Sequence, residues 1–364
     1  MANVARDVIW PTDDNIVVRA VFLYVGQGDC TIVLVKDGDT YKTVVVDTNL
    51  DETNGGIDIP ALVTDLVEDE DGKLSVFVNT HPHNDHLSGV VELSVAVDIQ
   101  EVWHSGHKPG KKHEDAHKNL KKVIKKVKKA HGAGSETELL GSRSATDFGE
   151  GQYYVLAPAK HVTDDVNDET ADTRYRRIHE QCAVLKFGKG DAWILLPGDA
   201  DRDAFEKHIT DYHKDRLSAN VLGASHHGSR TFFRYDKKDD PYLTALETIA
   251  PTYVILSAPT TKESPFDHPH QDAVKYYEDE VGKDNVVHTG KNRECFIADV
   301  FADGKVELST DTKLVDAYKL GSNDDDDGDD KKSSKTSTQA KAKASAAPAV
   351  ITGTKIDRRP MGLE

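Results

Sequence analysis

A short apolar run, Leu74-Ser75-Val76-Phe77-Val78-Asn79, leads straight into Thr80-His81-Pro82-His83-Asn84-Asp85-His86-Leu87-Ser88-Gly89. The run reads as a buried strand. Pro82 pushes His81 out of the helical region, so the strand ends in a loop. That loop carries three histidines and an aspartate within six residues. Imidazole nitrogen and carboxylate oxygen are the usual ligands of zinc and other borderline divalent ions. The chain has 17 histidines, so isolated pairs are expected by chance. Four potential ligands at the end of one strand are a stronger signal, because clustered titratable groups mark functional sites.

Further candidate ligands recur at strand ends. Residues 16–25 and 31–35 read as neighbouring strands joined by Gly26-Gln27-Gly28-Asp29-Cys30, and a third strand over residues 43–47 ends on Asp47. Residues 57–70 predict a helix capped by Asp58, residues 86–96 a second, and residues 100–103 a short strand. Later, residues 182–187 and 192–197 flank a hairpin turn, and the second runs into Gly198-Asp199-Ala200-Asp201. Residues 219–224 lead to Ser225-His226-His227-Gly228-Ser229, and residues 252–257 precede His268-Pro269-His270. A helix over residues 203–212, another over 271–280, a strand over 285–288 and a hairpin near Asp303-Gly304 complete this part. His81, His83, Asp85 and His86 from the first half, with Asp199 and His226 from the second, suit a binuclear centre. Two ions roughly 3.5–4 Å apart would share a bridging carboxylate and a bridging hydroxide, which is a nucleophile at neutral pH.

Three stretches have another character. Between Lys108 and Lys129 lie ten lysines, with Leu120, Val123, Ile124 and Val127 at helical spacing. This is a basic amphipathic helix, either a solvated covering helix or a local phosphate-binding surface in which Lys121 and Lys125 meet substrate. Residues 132–150 and 160–177 read as polar loops. From residue 321 the composition turns acidic and then rich in Lys, Ser and Ala, so 321–350 predicts a disordered linker. Residues 351–364 read as a tail or short docking peptide for a protein partner, leaving 1–320 as the folded domain.

Composition narrows the function. A formal net charge of -17 argues against nucleic-acid binding over the whole surface. Three widely spaced cysteines, Cys30, Cys182 and Cys295, form no disulfide framework or zinc finger and suit a reducing compartment. No run approaches the ~20 apolar residues of a membrane span. The expectation is a cytoplasmic protein with no membrane partner.

His81-Pro82-His83-Asn84-Asp85-His86, with Gly198-Asp199 and His226 downstream, resembles the metallo-β-lactamase superfamily. Residues 22–29, 195–200 and His226-His227-Gly228-Ser229 resemble the hydrolase domain of ComEC-type competence proteins, a likeness spanning about residues 16–310. The resemblance implies an α+β fold, a four-layer αββα sandwich with two divalent metal ions, zinc or manganese, at one edge. It implies His81 and His83 as ligands of the first ion, with His179 as the candidate third. Asp85, His86 and His226 would bind the second, and Asp199 would bridge. Asp47 would orient a ligand. His227, Ser229 and His268 would line the substrate side, with Asp85 and His227 as the catalytic pair and His270 structural. ComEC proteins set this domain beside a membrane channel, which this sequence lacks, so DNA uptake does not carry over.

The expected activity is that of a metal-dependent phosphodiesterase or nuclease, in which a metal-bound hydroxide attacks phosphorus in a nucleic acid or cyclic nucleotide. Two rivals stand beside it. One is hydrolysis of a thioester or lactam on the same fold. The other is a metal-containing binding or regulatory module acting through the C-terminal tail.

Overall fold

The computed structural model describes residues 3–321. The readings made for the linker past residue 321 and for the terminal peptide lie outside the described residues. Two sheets form the centre. In the first, β1 (Ile16–Phe22), β2 (Thr31–Asp37), β3 (Thr40–Val46), β4 (Lys73–Asn79), β5 (Asp98–His104) and β6 (Glu136–Glu138) lie side by side in chain order. In the second, β7 (Thr146–Phe148), β8 (Gly151–Ala157), β9 (Val184–Lys189), β10 (Ala192–Leu196), β11 (Val221–Gly223), β12 (Tyr253–Leu256) and β13 (Val286–His288) do likewise. The chain then returns to the first sheet, where β14 (Cys295–Phe301) pairs antiparallel with β1 and β15 (Val306–Asp311) forms the edge.

Each sheet changes character partway. β1 to β3 pair antiparallel, whereas β3 to β6 pair parallel. β7 to β10 pair antiparallel, whereas β10 to β13 pair parallel. Parallel neighbours need long crossovers, and the loops that begin them leave from the carboxyl ends of the strands. Asp47 follows β3, Thr80–His86 follow β4, Asp199 follows β10, Ser225–Gly228 follow β11 and Ser257 follows β12. Both parallel halves therefore deliver loops to one region, the usual place for a site in open α/β sheets.

Three apolar clusters define the layers. The middle one joins Val18, Phe22, Val44 and Val78 of the first sheet to Leu185, Phe187, Ile194 and Ile255 of the second. Outside the first sheet, α1 (Val4–Ile9), α2 (Ile59–Leu66), α3 (Val90–Ala96) and α4 (Glu114–His131) bury Ile9, Leu62, Leu93 and Leu120. Next in the chain come α5 (Lys160–Asp168) and α6 (Ala171–Arg177). Outside the second sheet, α7 (Arg202–Ala204), α8 (Thr244–Ile249) and α9 (Gln271–Val281) bury Ala204, Leu246 and Tyr277. Helix, sheet, sheet and helix stack in that order, which is the expected four-layer αββα sandwich.

Several boundaries depart from the sequence reading. The loop expected over 160–177 is mostly α5 and α6. α5 buries Val162 and Val166, and Thr170 caps α6 by accepting from the Thr173 amide at 3.2 Å. The loop expected over 132–150 contains β6 and β7. The helix expected from His86 starts at Val90, because Gly89 takes a left-handed φ of 87°. The helix expected over 203–212 begins as α7 and widens into a π turn over Phe205–Ile209. α2 is capped as expected, with Asp58 accepting from the Ala61 amide at 3.1 Å.

Candidate metal centre

Asp47 anchors the site. Its backbone is left-handed (φ 57°) and its side chain is buried. Its carboxylate accepts from the Thr80 amide at 2.8 Å, Asn79 Nδ2 at 3.1 Å and Thr80 Oγ1 at 2.5 Å. It also accepts from His86 Nδ1 at 2.8 Å. The Thr80 hydroxyl proton is thus committed to Asp47, so Oγ1 accepts from His81 Nδ1 at 3.1 Å. Both imidazoles are fixed with Nδ1 protonated and Nε2 turned inward, the arrangement that orients histidine ligands. His227 is set the same way by the Ser257 carbonyl, 3.1 Å from its Nδ1.

The inward nitrogens converge on Asp199. Its Oδ2 lies 3.4 Å from His81 Nε2, 3.6 Å from His179 Nε2 and 3.5 Å from His226 Nε2. Its Oδ1 lies 3.2 Å from His86 Nε2 and 3.6 Å from His227 Nε2. One carboxylate therefore faces two groups of histidines with separate oxygens. His81, His83, His179 and Asp199 offer ligand atoms all within 4.8 Å of one another, and so do Asp29, His86, Asp199 and His227.

Buried polar atoms test whether metal fits. Nε2 of His81, His83, His86, His179 and His227 and both Asp199 oxygens are buried without a hydrogen-bond partner. Leaving so many polar atoms unpaired in one place is costly, and a divalent cation satisfies them together. Electrostatics agree. Burial, with His81, His179 and His113 alongside, holds His83 well below the ordinary imidazole value. Burial and His226 do the same to His179, and burial lowers His226 to about 4. These rings are neutral donors at pH 7. Across the site, burial is outweighed by carboxylates. Asp199 and Asp47 hold His86 well above its usual value, and Asp199 and Asp29 carry His227 up to about 9. Asp199 draws positive charge to this side, and divalent cations meet that demand.

The histidine pair departs from expectation in its order. His227, buried, has Nε2 3.5 Å from Asp85 Oδ2 and faces Asp199 Oδ1, the side on which His226 was expected. His226 stands instead beside His179, with ring centroids 4.3 Å apart. The cause is local: His226, His227 and Gly228 take three consecutive left-handed conformations (φ 52°, 56° and 75°), which reverse the chain. Strain of this kind in non-glycine residues collects at functional sites.

Ser229 is buried, and its hydroxyl caps a turn by accepting from the Thr231 amide at 3.4 Å. Lys121 and Lys125 lie on the exposed face of α4, whose first turn is at the site because its cap His113 stacks on His83. They stand about 12 and 18 Å further along the axis at 1.5 Å per residue. His268 does flank the cluster, 5.3 Å from the His226 ring between centroids. His270 is structural, accepting from the Arg230 amide at 3.1 Å.

Two neighbours escaped the sequence reading as site residues. Asp29 reaches the cluster because Gly28 packs directly against the metal loop, where a Cβ would come 2.5 Å from the Asp85 carbonyl. Its Oδ2 is 3.7 Å from His227 Nδ1. The Gly-x-Gly-Asp turn was the available signal. His113 gave none, standing among lysines far along the chain.

Residues 24–174 match the family model described as the metallo-beta-lactamase superfamily. The four-layer sandwich and the paired His/Asp groups suited to divalent metals agree with that match, which spans the metal loop. Among solved structures it is similar to a diphosphatase of the PhnP family, at 12% identity over 80% of this chain and 98% of that one, with a TM-score of 0.36. It is also similar to an archaeal metallo-beta-lactamase superfamily protein from Sulfolobus tokodaii, at 16% identity over 50% of this chain and 63% of that one, with a TM-score of 0.26. A metallo-beta-lactamase from Cronobacter sakazakii aligns at 12% identity over 55% of this chain and 75% of that one, with a TM-score of 0.27. No curated protein matches the sequence. No helix among the described residues is long and apolar enough to cross a membrane.

Proposed function

We propose that the chain is a metal-dependent phosphodiesterase or nuclease with a binuclear zinc or manganese centre. The observation that carries this reading is Asp199, which turns one oxygen to each of two ligand groups. His81, His83 and His179 would hold one ion, and His86, His227 and Asp85 would hold the other. Asp29 backs His227 from its Nδ1 side. Divalent ions placed there would lower the pKa of a water and neutralise charge on the phosphoryl oxygens. Asp85, held well below the usual carboxylate range by its His227 hydrogen bond against the effect of burial, is ionised and so suited to serve as an anionic ligand. His226 and His268 stand at the mouth as neutral rings, lowered by burial to about 4 and about 2. The subgroup likeness of the Gly-Gln-Gly-Asp and His-His-Gly-Ser segments to ComEC-type hydrolase domains supports a phosphodiester over a lactam or thioester.

The test is hydrolysis of single-stranded DNA, RNA, cyclic nucleotides and a generic diester by the metal-stripped protein reloaded with manganese or zinc. The expected result is metal-dependent diester cleavage that disappears in Asp85→Ala. Activity that survives chelation, or cleavage confined to a thioester or lactam, overturns the reading.

A further inference from the structure

Rings form one unbroken arc across the mouth of the site. Tyr175 stacks on His113, with centroids 5.9 Å apart and planes 12° apart, and His113 stacks on His83 at 3.9 Å and 26°. His83 meets His179 at 5.0 Å, and His179 meets His226 at 4.3 Å. His226 meets His268 at 5.3 Å, and His268 meets Phe266 at 5.9 Å. The middle of this arc is the candidate metal cluster. Its two ends reach solvent, Tyr175 at 37% exposure and Phe266 at 60%.

Both end rings stand on pinned backbone. Gly110 packs under Tyr175 so closely that a Cβ there would come 2.5 Å from the Tyr175 Cβ. The adjacent Arg174 donates from Nε to the Pro109 carbonyl at 3.1 Å. On the other side, Ser264 Oγ accepts from the Phe266 amide at 3.2 Å and the His268 amide at 3.1 Å while donating to Gln27 Oε1 at 2.7 Å. Gln27 belongs to the same Gly-Gln-Gly-Asp turn that brings Asp29 to the cluster. Phe266 leaves most of its surface in water and Tyr175 more than a third, and these two rings bracket one cluster.

Resting on the phosphodiesterase reading, we propose that Tyr175 and Phe266 are stacking platforms for unpaired nucleobases. The substrate is then a phosphodiester with a base on each side of the scissile phosphorus, as in single-stranded nucleic acid. Flat faces suit bases of any identity. Cations accompany the Tyr175 platform: the Lys112 ammonium, 4.7 Å from the ring centroid, donates to the Tyr175 hydroxyl at 3.3 Å, and Lys111 beside it is exposed. On a chain of net charge -17, a local cationic rim is what a polyanion needs to approach.

The experiment compares a dinucleoside monophosphate with the same diester made abasic on both sides, using the metal-loaded full chain, Tyr175→Ala and Phe266→Ala. Each alanine variant should lose roughly 5- to 100-fold in kcat/KM on the base-bearing diester and keep the wild-type value on the abasic one. Tyr175→Trp and Phe266→Trp should keep both, and metal content and melting temperature should match wild type throughout. Alanine variants that cleave the base-bearing diester at the wild-type rate overturn the proposal, as does wild-type protein that cleaves both diesters equally. Wild-type protein that cleaves neither diester overturns the phosphodiesterase reading itself and the platforms with it.

Discussion

Asp47 organises more of the centre than any candidate ligand, since it holds His86 directly and His81 through Thr80. Asp47→Asn keeps the size but replaces one acceptor with a donor facing groups that already donate. Metal affinity should fall roughly 10–100-fold, read by competition with a chromogenic chelator. A second contrast concerns the adjacent histidines. His227 Nε2 is buried and unpartnered, whereas His226 lies at the mouth with Nδ1 3.0 Å from Thr231 Oγ1. His227→Ala should lower the metal bound per chain in elemental analysis, while His226→Ala should retain metal and lose turnover. Equal metal loss in both would reverse the assignment. The sequence could mark this pair as a site but not order it. Which ring turns inward depends on three left-handed residues in a row, and nothing in His-His-Gly states that the two histidines adopt them.

At the scale of elements, strand ends do the positioning. β10 delivers Asp199 through Gly198, whose φ is 53° and whose absent Cβ leaves room for Thr80 Oγ1, 2.8 Å from where it would stand. Gly198→Ala combines left-handed strain of roughly 1 kcal/mol with displacement of the Thr80 that carries His81. It should lower both the melting temperature and metal affinity, whereas Gly190→Ala, in an open turn with nothing near its Cβ, should lower only the former. Strands were readable because their apolar runs are continuous and end in turn residues. α5 and α6 were not, because Val162 and Val166 are too few apolar positions to show a helical period. α4 was readable as an amphipathic helix, but the reach of its lysines was not. Periodicity shows which face is wet, not what stands opposite its ends.

Across the whole molecule, buried neutral histidines outside the cluster couple folding to pH. His213 is buried, and burial lowers its pKa to about 4 from 6.5. The unfolded chain protonates this residue near 6.5 and the folded chain only near 4, so falling pH between those values favours unfolding. His213→Gln should show a smaller drop in melting temperature than wild type between about pH 7 and about pH 5. The layers and most of the candidate ligands were legible in the sequence, because strand-length apolar runs and a six-residue cluster of histidines and aspartate are local patterns. His179 was legible only as a histidine upstream of a strand, and it joins His81 and His83 through packing of a 3-10 turn after α6. Asp29, His113, Tyr175 and Phe266 come from four distant stretches. They meet at one mouth because two half-parallel sheets face each other and release their loops at the same edge, which is a property of the sandwich and not of any segment.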